Sequence, residues 1–211
     1  MTTATLEKAG LTTESILDLL YGDIDGYGLA SRGRARGVYD GEDLTYGDIT
    51  PECVYQMLTG VGAKDGDVFY DLGSGTGKGV LFASLLFPLS KSVGIELVTE
   101  LHDGARAAHD RYLAHIHPVL PEEKQRQEIH LLNTDMRGVD ISDGDIVYSH
   151  CTCFGPQLMD TITRKCEGLR SGAHVITVSK GLSETNELTM IGMQPCQMAW
   201  GCATLYFYER L

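Results

Sequence analysis

Long apolar runs are missing from this sequence. No stretch of about 18 residues is free of polar and charged side chains, which argues against a helix that crosses a membrane. The first residues, Met1 to Lys8, lack the basic and apolar parts of a secretory signal, so a soluble, intracellular protein is expected, nuclear and cytoplasmic residence being left open. Basic residues are also scarce. Lys and Arg number 17 against 29 Asp and Glu, and a net charge of −12 opposes the approach of phosphates, so no direct nucleic-acid substrate is expected. The local exception, Arg32-Gly33-Arg34-Ala35-Arg36, reads as a solvated segment rather than a docking site. Metal-ligand spacing is lacking too: Cys151 and Cys153 stand too close for a zinc knuckle and no matching His or Cys pair follows, so no metal is expected. The six cysteines are scattered and read as small buried hydrophobes of a reducing compartment.

What the chain does have is concentrated between Phe69 and Lys78. Val68 to Leu72 is a short apolar run rich in strand formers, and Gly73, Gly75 and Gly77 follow it in a turn where the backbone can approach a ligand closely. Thr76 is placed to cap the next helix, which Pro88 stops. A pyrophosphate cradle would need G-x-G-x-x-G and no facing carboxylate, but here Asp71 sits at the strand tip, where it repels a diphosphate and attracts an ammonium. Glu96 closes the next strand, where an acid takes the hydroxyls of a ribose, and Asp135 closes the third. A ligand with an amino-acid ammonium, a ribose and no phosphate is S-adenosylmethionine. The cofactor-binding candidates are accordingly Phe69, Asp71, Gly73, Ser74, Gly75, Thr76, Gly77, Lys78, Glu96, Asp135 and Met136.

Along the chain, residues 12 to 21 have the spacing of one amphipathic helix, and glycines between Tyr21 and Asp43 predict a loop or linker. Asp48 or Thr50 caps a helix from Pro51 to about Gly60. Strands are expected at 68–72, 92–96, 129–135, 145–150 and 173–180, with helices after the first, second and fourth, the second capped by Thr99. Residues 197–200 and 204–210 form a closing hairpin. This alternation predicts an α/β fold: a doubly wound, Rossmann-like, seven-stranded, mostly parallel sheet with an antiparallel C-terminal hairpin. Residues 1–45 are read as an N-terminal helix and Gly-rich linker, and 46–211 as the methyltransferase domain.

The stretch from Tyr46 to the C-terminus resembles the catalytic core of the Dot-one (disruptor of telomeric silencing) family, the histone lysine methyltransferases that lack a SET domain. Tyr46-Gly47-Asp48-Ile49-Thr50 is similar to that family's Tyr-Gly-Glu-Thr loop, Phe69 to Lys78 to its glycine motif, and Thr134-Asp135-Met136 to its Gly-Asp-Phe. Cys153-Phe154-Gly155-Pro156, Ser179-Lys180, Trp200-Gly201 and Tyr206 resemble elements that line the lysine channel. The resemblance implies a methyl transfer from S-adenosylmethionine to a lysine amine, yielding S-adenosylhomocysteine, with Tyr46, Gly47, Asp48, Ile49 and Thr50 over the methionine end. It implies an aromatic wall of Phe154, Trp200 and Tyr206 at the reacting methyl. His150 stands where the family has its first Asn, and Cys151-Thr152 replace the next two residues; His150 at the fourth strand's tip is placed to orient or deprotonate an incoming nitrogen. The expected partner is a protein with an accessible lysine, a histone included, or a small amine. Two alternatives stand beside the lysine reading: a methyltransferase for a small nitrogenous metabolite, and a non-catalytic cofactor-binding scaffold.

Overall fold

In the computed structural model, which describes residues 11–36 and 46–211, strand β1 (Val68–Leu72) lies buried at the centre of one sheet. Its residues alternate between two cores, as a period of two requires. Phe69 belongs to the core built with helices α1 (Thr13–Tyr21), α3 (Pro51–Gly60) and α4 (Lys78–Leu86). Tyr70 and Leu72 belong to the core under α7 (Pro156–Glu167). A strand covered on both faces has no polar side, which is why β1, β4 (Ile146–Ser149) and β5 (His174–Val178) read as mostly apolar runs and why β2 (Lys91–Glu96) is buried from Ser92 onward.

Seven strands make one sheet in the order β3-β2-β1-β4-β5-β7-β6, with β3 at Glu128–Asn133, β6 at Leu188–Met198 and β7 at Gly201–Arg210. The first five pair in parallel; β7 runs antiparallel to both β5 and β6. This is the expected doubly wound sheet with a closing hairpin. The strand order reverses beside β1, so the carboxyl ends of β1, β2 and β4 open a crevice there. Helix α5 (Thr99–Arg111) and a short helix, α6 (Glu122–Gln125), fill the connection from β2 to β3.

Several local expectations are corrected. The Gly-rich segment after Tyr21 is not a loop throughout: Gly26–Ala35 is a helix, α2, capped by Asp25, whose Oδ1 accepts from Gly28 N at 2.9 Å. Tertiary contact overrides its low propensity. Ala30 is buried, and Gly33 packs so closely on Val98 and Glu100 at the start of α5 that a Cβ would lie 2.3 Å from Val98 Cγ1. Arg36, from the basic cluster, folds back to pair with Glu100 at 2.7 Å. The rest of the expected linker, residues 37–43, lies outside the described residues. Thr76 does not cap α4; Gly77 does, in the left-handed conformation at φ 78°. Thr99 does not cap α5 either, since Val98 holds the N-cap and the Thr99 hydroxyl faces Asn133 at 3.0 Å. Thr50 does cap α3, accepting from Cys53 N at 3.1 Å. The hairpin is longer than expected because β6 begins at Leu188. It is the edge strand, exposed at Met190, Ile191 and Met193, with a register shift between Met190 and Gly192 and a proline at 195, so it shows no alternation to read. Finally, Cys53 and Cys196 are not separate buried thiols but a disulfide joining α3 to β6.

Candidate functional site

Asp71 leaves β1 on the same face as Phe69 and is 2% exposed. Its Oδ2 sits over Gly79 in the first turn of α4, where a Cβ would come within 2.4 Å, and its Oδ1 has no hydrogen-bond partner. Burial, and then the charge of Glu96, push this carboxyl up to about 8. A buried carboxylate oxygen without a donor is costly, so the fold holds an acceptor that a cationic ligand group would satisfy. Glu96, at the tip of β2, is already engaged: Oε2 accepts from Gly75 N at 2.8 Å and Oε1 from Val98 N at 2.7 Å. Burial raises its pKa and these backbone donors oppose the rise. Each of its oxygens keeps a second lone pair. Asp135, after β3, is held by Arg137, whose Nε reaches both carboxylate oxygens at 3.0 and 2.8 Å; that contact, with burial opposing it, lowers the Asp135 pKa.

Residues 46–50 run as a strap across the glycine turn. Gly75 has φ +55°, and a Cβ there would meet the Tyr46 ring at 2.6 Å, so the strap lies against bare backbone. The Tyr46 hydroxyl donates to the Asp48 carboxylate and accepts from Thr76 Oγ1 at 2.9 Å. Asp48 in turn pairs with Lys78, whose ammonium lies 5.0 Å from the centre of the Tyr21 ring. Strap, turn and α1 thus share one network. The far end of the strap is tied to the hairpin, through Ala199 N to Asp48 O at 3.3 Å and Thr50 Oγ1 to Gln197 O at 3.0 Å.

The opposite wall comes from β4 and the residues after it. His150 sets Nδ1 3.1 Å from Gly47 O and stacks on Trp200, with ring centroids 5.7 Å apart and planes 17° from parallel. Its Nε2 is buried without a partner, and burial lowers its pKa against the Gly47 bond and the Asp48 charge. Trp200 stands in the two-residue turn between β6 and β7 rather than in a strand, which is how it reaches over β4. Phe154 closes the wall near Gly73. Lys180 holds it by donating to Phe154 O at 2.6 Å, and Thr152 donates to Ser179, itself at φ 65°, at 3.0 Å.

These parts enclose a cavity of about 290 Å³, in the range of small-ligand sites. Of the residues expected at the site, Tyr46, Gly47, Gly73, Gly75, Glu96, Asp135, Met136, His150 and Phe154 line it. A second space of about 20 Å³, wide enough for one water, adjoins it; Asp48, Ile49, Asp71, Ser74, Thr76 and Lys78 border that one. Other expected residues stand apart from both. Phe69 is core, stacked on Tyr148; Gly77 packs on Ala105; Thr50 caps α3; Tyr206 pairs with Thr177 across β5 and β7; Trp200 lines neither space and meets the site through its stack on His150. Sequence reasoning missed Leu97, Val98, Leu101, Arg137, Gln157, Leu158 and Thr161 in the wall. Leu97 and Arg137 were findable as neighbours of the expected acids. Gln157, Leu158 and Thr161 show only as one face of α7, which nothing local marks as the site side. Tyr148 was missed too: its hydroxyl is buried without a partner beside the smaller space.

Residues 38–202 match the family described as "Histone methylation protein DOT1". A histone-lysine N-methyltransferase specific for lysine 79 of histone H3 from Dictyostelium discoideum is 28% identical over 142 residues, covering 63% of this chain and 7% of that protein. The enzyme of the same description from Drosophila melanogaster is 26% identical over 183 residues, covering 77% of this chain and 10% of its own length. The chain therefore spans a tenth or less of these relatives. Among solved structures, an RNA methyltransferase from Salinibacter ruber, in complex with S-adenosyl-L-homocysteine, aligns with TM-score 0.58 and 21% identity over 75% of this chain and 90% of its own. TrmN from Thermus thermophilus aligns with TM-score 0.59 and 16% identity over 77% and 49%. At such identities the likeness is one of fold, a Rossmann-like methyltransferase fold.

Proposed function

We propose, from the premise that this chain belongs to the DOT1 family of histone methylation proteins, that it is an S-adenosylmethionine-dependent N-methyltransferase whose acceptor is the side-chain amine of a protein lysine. The observation that carries the reading is Asp71: a buried carboxylate at the central strand tip with an unpartnered oxygen, bordering the small space that adjoins the cavity lined by Glu96 and Asp135. An ammonium suits Asp71 and a ribose suits the open lone pairs of Glu96. No carboxylate in that row welcomes a phosphate. When bound, S-adenosylmethionine supplies an electrophilic methyl group on a sulfonium. The protein's part is to align the acceptor nitrogen and exclude water, for which the strap over the glycine turn, Phe154 and the His150–Trp200 stack are suited.

The relatives act on a histone lysine by their names, and this supports a protein lysine, a histone among the candidates, as acceptor. A small nitrogenous metabolite is the second reading, favoured by the polar His150 in the wall. In the test, tritiated S-adenosylmethionine is incubated with the protein and purified histones, a protein lysate and the small-molecule fraction of that lysate. Label in protein lysines is expected. Label confined to the small-molecule fraction overturns the lysine reading, and no transfer in any arm overturns the enzyme reading.

A further inference from the structure

Three buried polar atoms with no hydrogen-bond partner, Asp71 Oδ1, Tyr148 Oη and His150 Nε2, belong to residues that border one small space under the strap. Two of them have a role in the reading above or beside it: Asp71 faces the ligand's ammonium, and Tyr148 lies next to Asp71. His150 is different, because its second nitrogen defines its chemistry. The carbonyl of Gly47 can only accept, so the 3.1 Å contact needs the proton on Nδ1. In the neutral ring the lone pair then lies on Nε2. Trp200 stacks against the ring and Gly47 holds its edge, so Nε2 is fixed in direction, and His150 also lines the main cavity.

The charged and titratable groups around it are few. Asp48 and Tyr46 come from the strap, Lys78 from α4, Asp71 from β1 and Tyr148 from β4; Asp48 is already neutralised by Lys78. Burial outweighs the Gly47 bond and the Asp48 field, and the imidazole stays neutral at pH 7.

We propose that His150 is the site's proton acceptor, its Nε2 taking a proton from the incoming ammonium so that a neutral nitrogen attacks. The proposal rests on the methyltransferase reading above. An N–H bond of the substrate ammonium breaks and leaves its pair on nitrogen, while an Nε2–H bond forms and the imidazole becomes imidazolium. The nitrogen pair then forms the N–C bond as the C–S bond breaks with its pair going to sulfur. The imidazolium gives its proton to water when product leaves. A free lysine ammonium has a pKa of about 10.4; desolvation in the channel lowers it toward the imidazole's range, and His150 then gives the departing proton an acceptor that alignment alone does not supply.

The test combines His150→Asn and His150→Gln with two kinds of acceptor, a lysine peptide and a peptide carrying an aminooxy group, whose nitrogen is already neutral at pH 7. With the lysine peptide, kcat/KM is expected to fall about 100-fold at neutral pH, and the acidic limb of its pH profile to move from the imidazole's range up toward that of the free lysine ammonium. With the aminooxy peptide the loss should vanish, and affinity for S-adenosylhomocysteine should stay within about twofold of wild type, which also reports folding. Nitrogen-15 shifts of His150 in the unmutated protein read the tautomer without turnover, and Nε2 is expected unprotonated. A proton on Nε2 at pH 7, or equal losses on both acceptors, overturns the proposal while leaving the methyltransferase reading in place. A wild-type protein that methylates no acceptor overturns both.

Discussion

Asp71→Asn alters both the stability and the binding of this protein in ways that depend on pH. In the fold, burial and the neighbouring Glu96 hold the Asp71 proton up to about pH 8. In the unfolded chain the same carboxyl ionises near pH 4. Between those values the native state carries one more proton than the unfolded state, so this group makes ligand-free stability fall as pH rises, by at most about 1.4 kcal/mol per pH unit. Asparagine removes the dependence, and the gap between variant and wild type in urea unfolding should widen in favour of the variant from pH 5 to pH 8. Ligand binding has the opposite demand. An ammonium is best met by the ionised carboxylate, so S-adenosylhomocysteine should displace close to one proton at pH 7, and its affinity should weaken about tenfold for each pH unit below 8. Titration calorimetry in two buffers of different ionisation enthalpy counts that proton. The variant should lose the proton release together with a charge-assisted hydrogen bond of about 1.5–3 kcal/mol. Unchanged affinity in Asp71→Asn, or binding without proton release in wild type, would refute the placement of the ammonium at Asp71.

Three further variants probe the frame around it. Gly75→Ala puts a Cβ against the Tyr46 ring at a positive φ; it should cost about 1–2 kcal/mol in thermal melts and weaken S-adenosylhomocysteine binding at least as strongly. A variant that binds normally would show that the strap does not need to rest on the turn. Lys78→Met breaks the pair with Asp48 and should cost roughly 2 kcal/mol; in a double-mutant cycle with Asp48→Asn, the two losses should be less than additive. Leu20→Ala removes a fully buried side chain of α1 from the main core and should cost about 3 kcal/mol, whereas a loss within error of zero would separate residues 13–21 from the rest of the fold.

Much of this molecule is legible without coordinates where the signal is local. The run from Val68 to Gly77 encodes a buried strand, an acid at its tip and a turn only glycine makes easily, all within ten successive residues. The inner parallel strands β1, β4 and β5 are equally plain, because burial on both faces leaves no polar alternation to confuse, whereas β3 at the edge has no buried residue. The expected acids lie at the strand ends for the same reason: strand boundaries and the rule for open sheets suffice to place them. The deficit of Lys and Arg is likewise a property of composition alone.

Only the tertiary structure decided the rest, because its causes act between residues far apart in the chain. Helix α2 exists because Ala30 and Gly33 find a surface on α5, which no propensity records. The edge strand β6 is held by β7 and carries Trp200 in its turn, so the indole meets His150 instead of packing in a hairpin core. Tyr206 is held within β7 by pairing on both sides and packs, half-buried, on the core under α7. The tautomer of His150 depends on a carbonyl 103 residues earlier, and the unpaired oxygen of Asp71 on what surrounds it in space. Local sequence specifies backbone preference and pattern; which polar atom is left without a partner is set by the packing of distant elements.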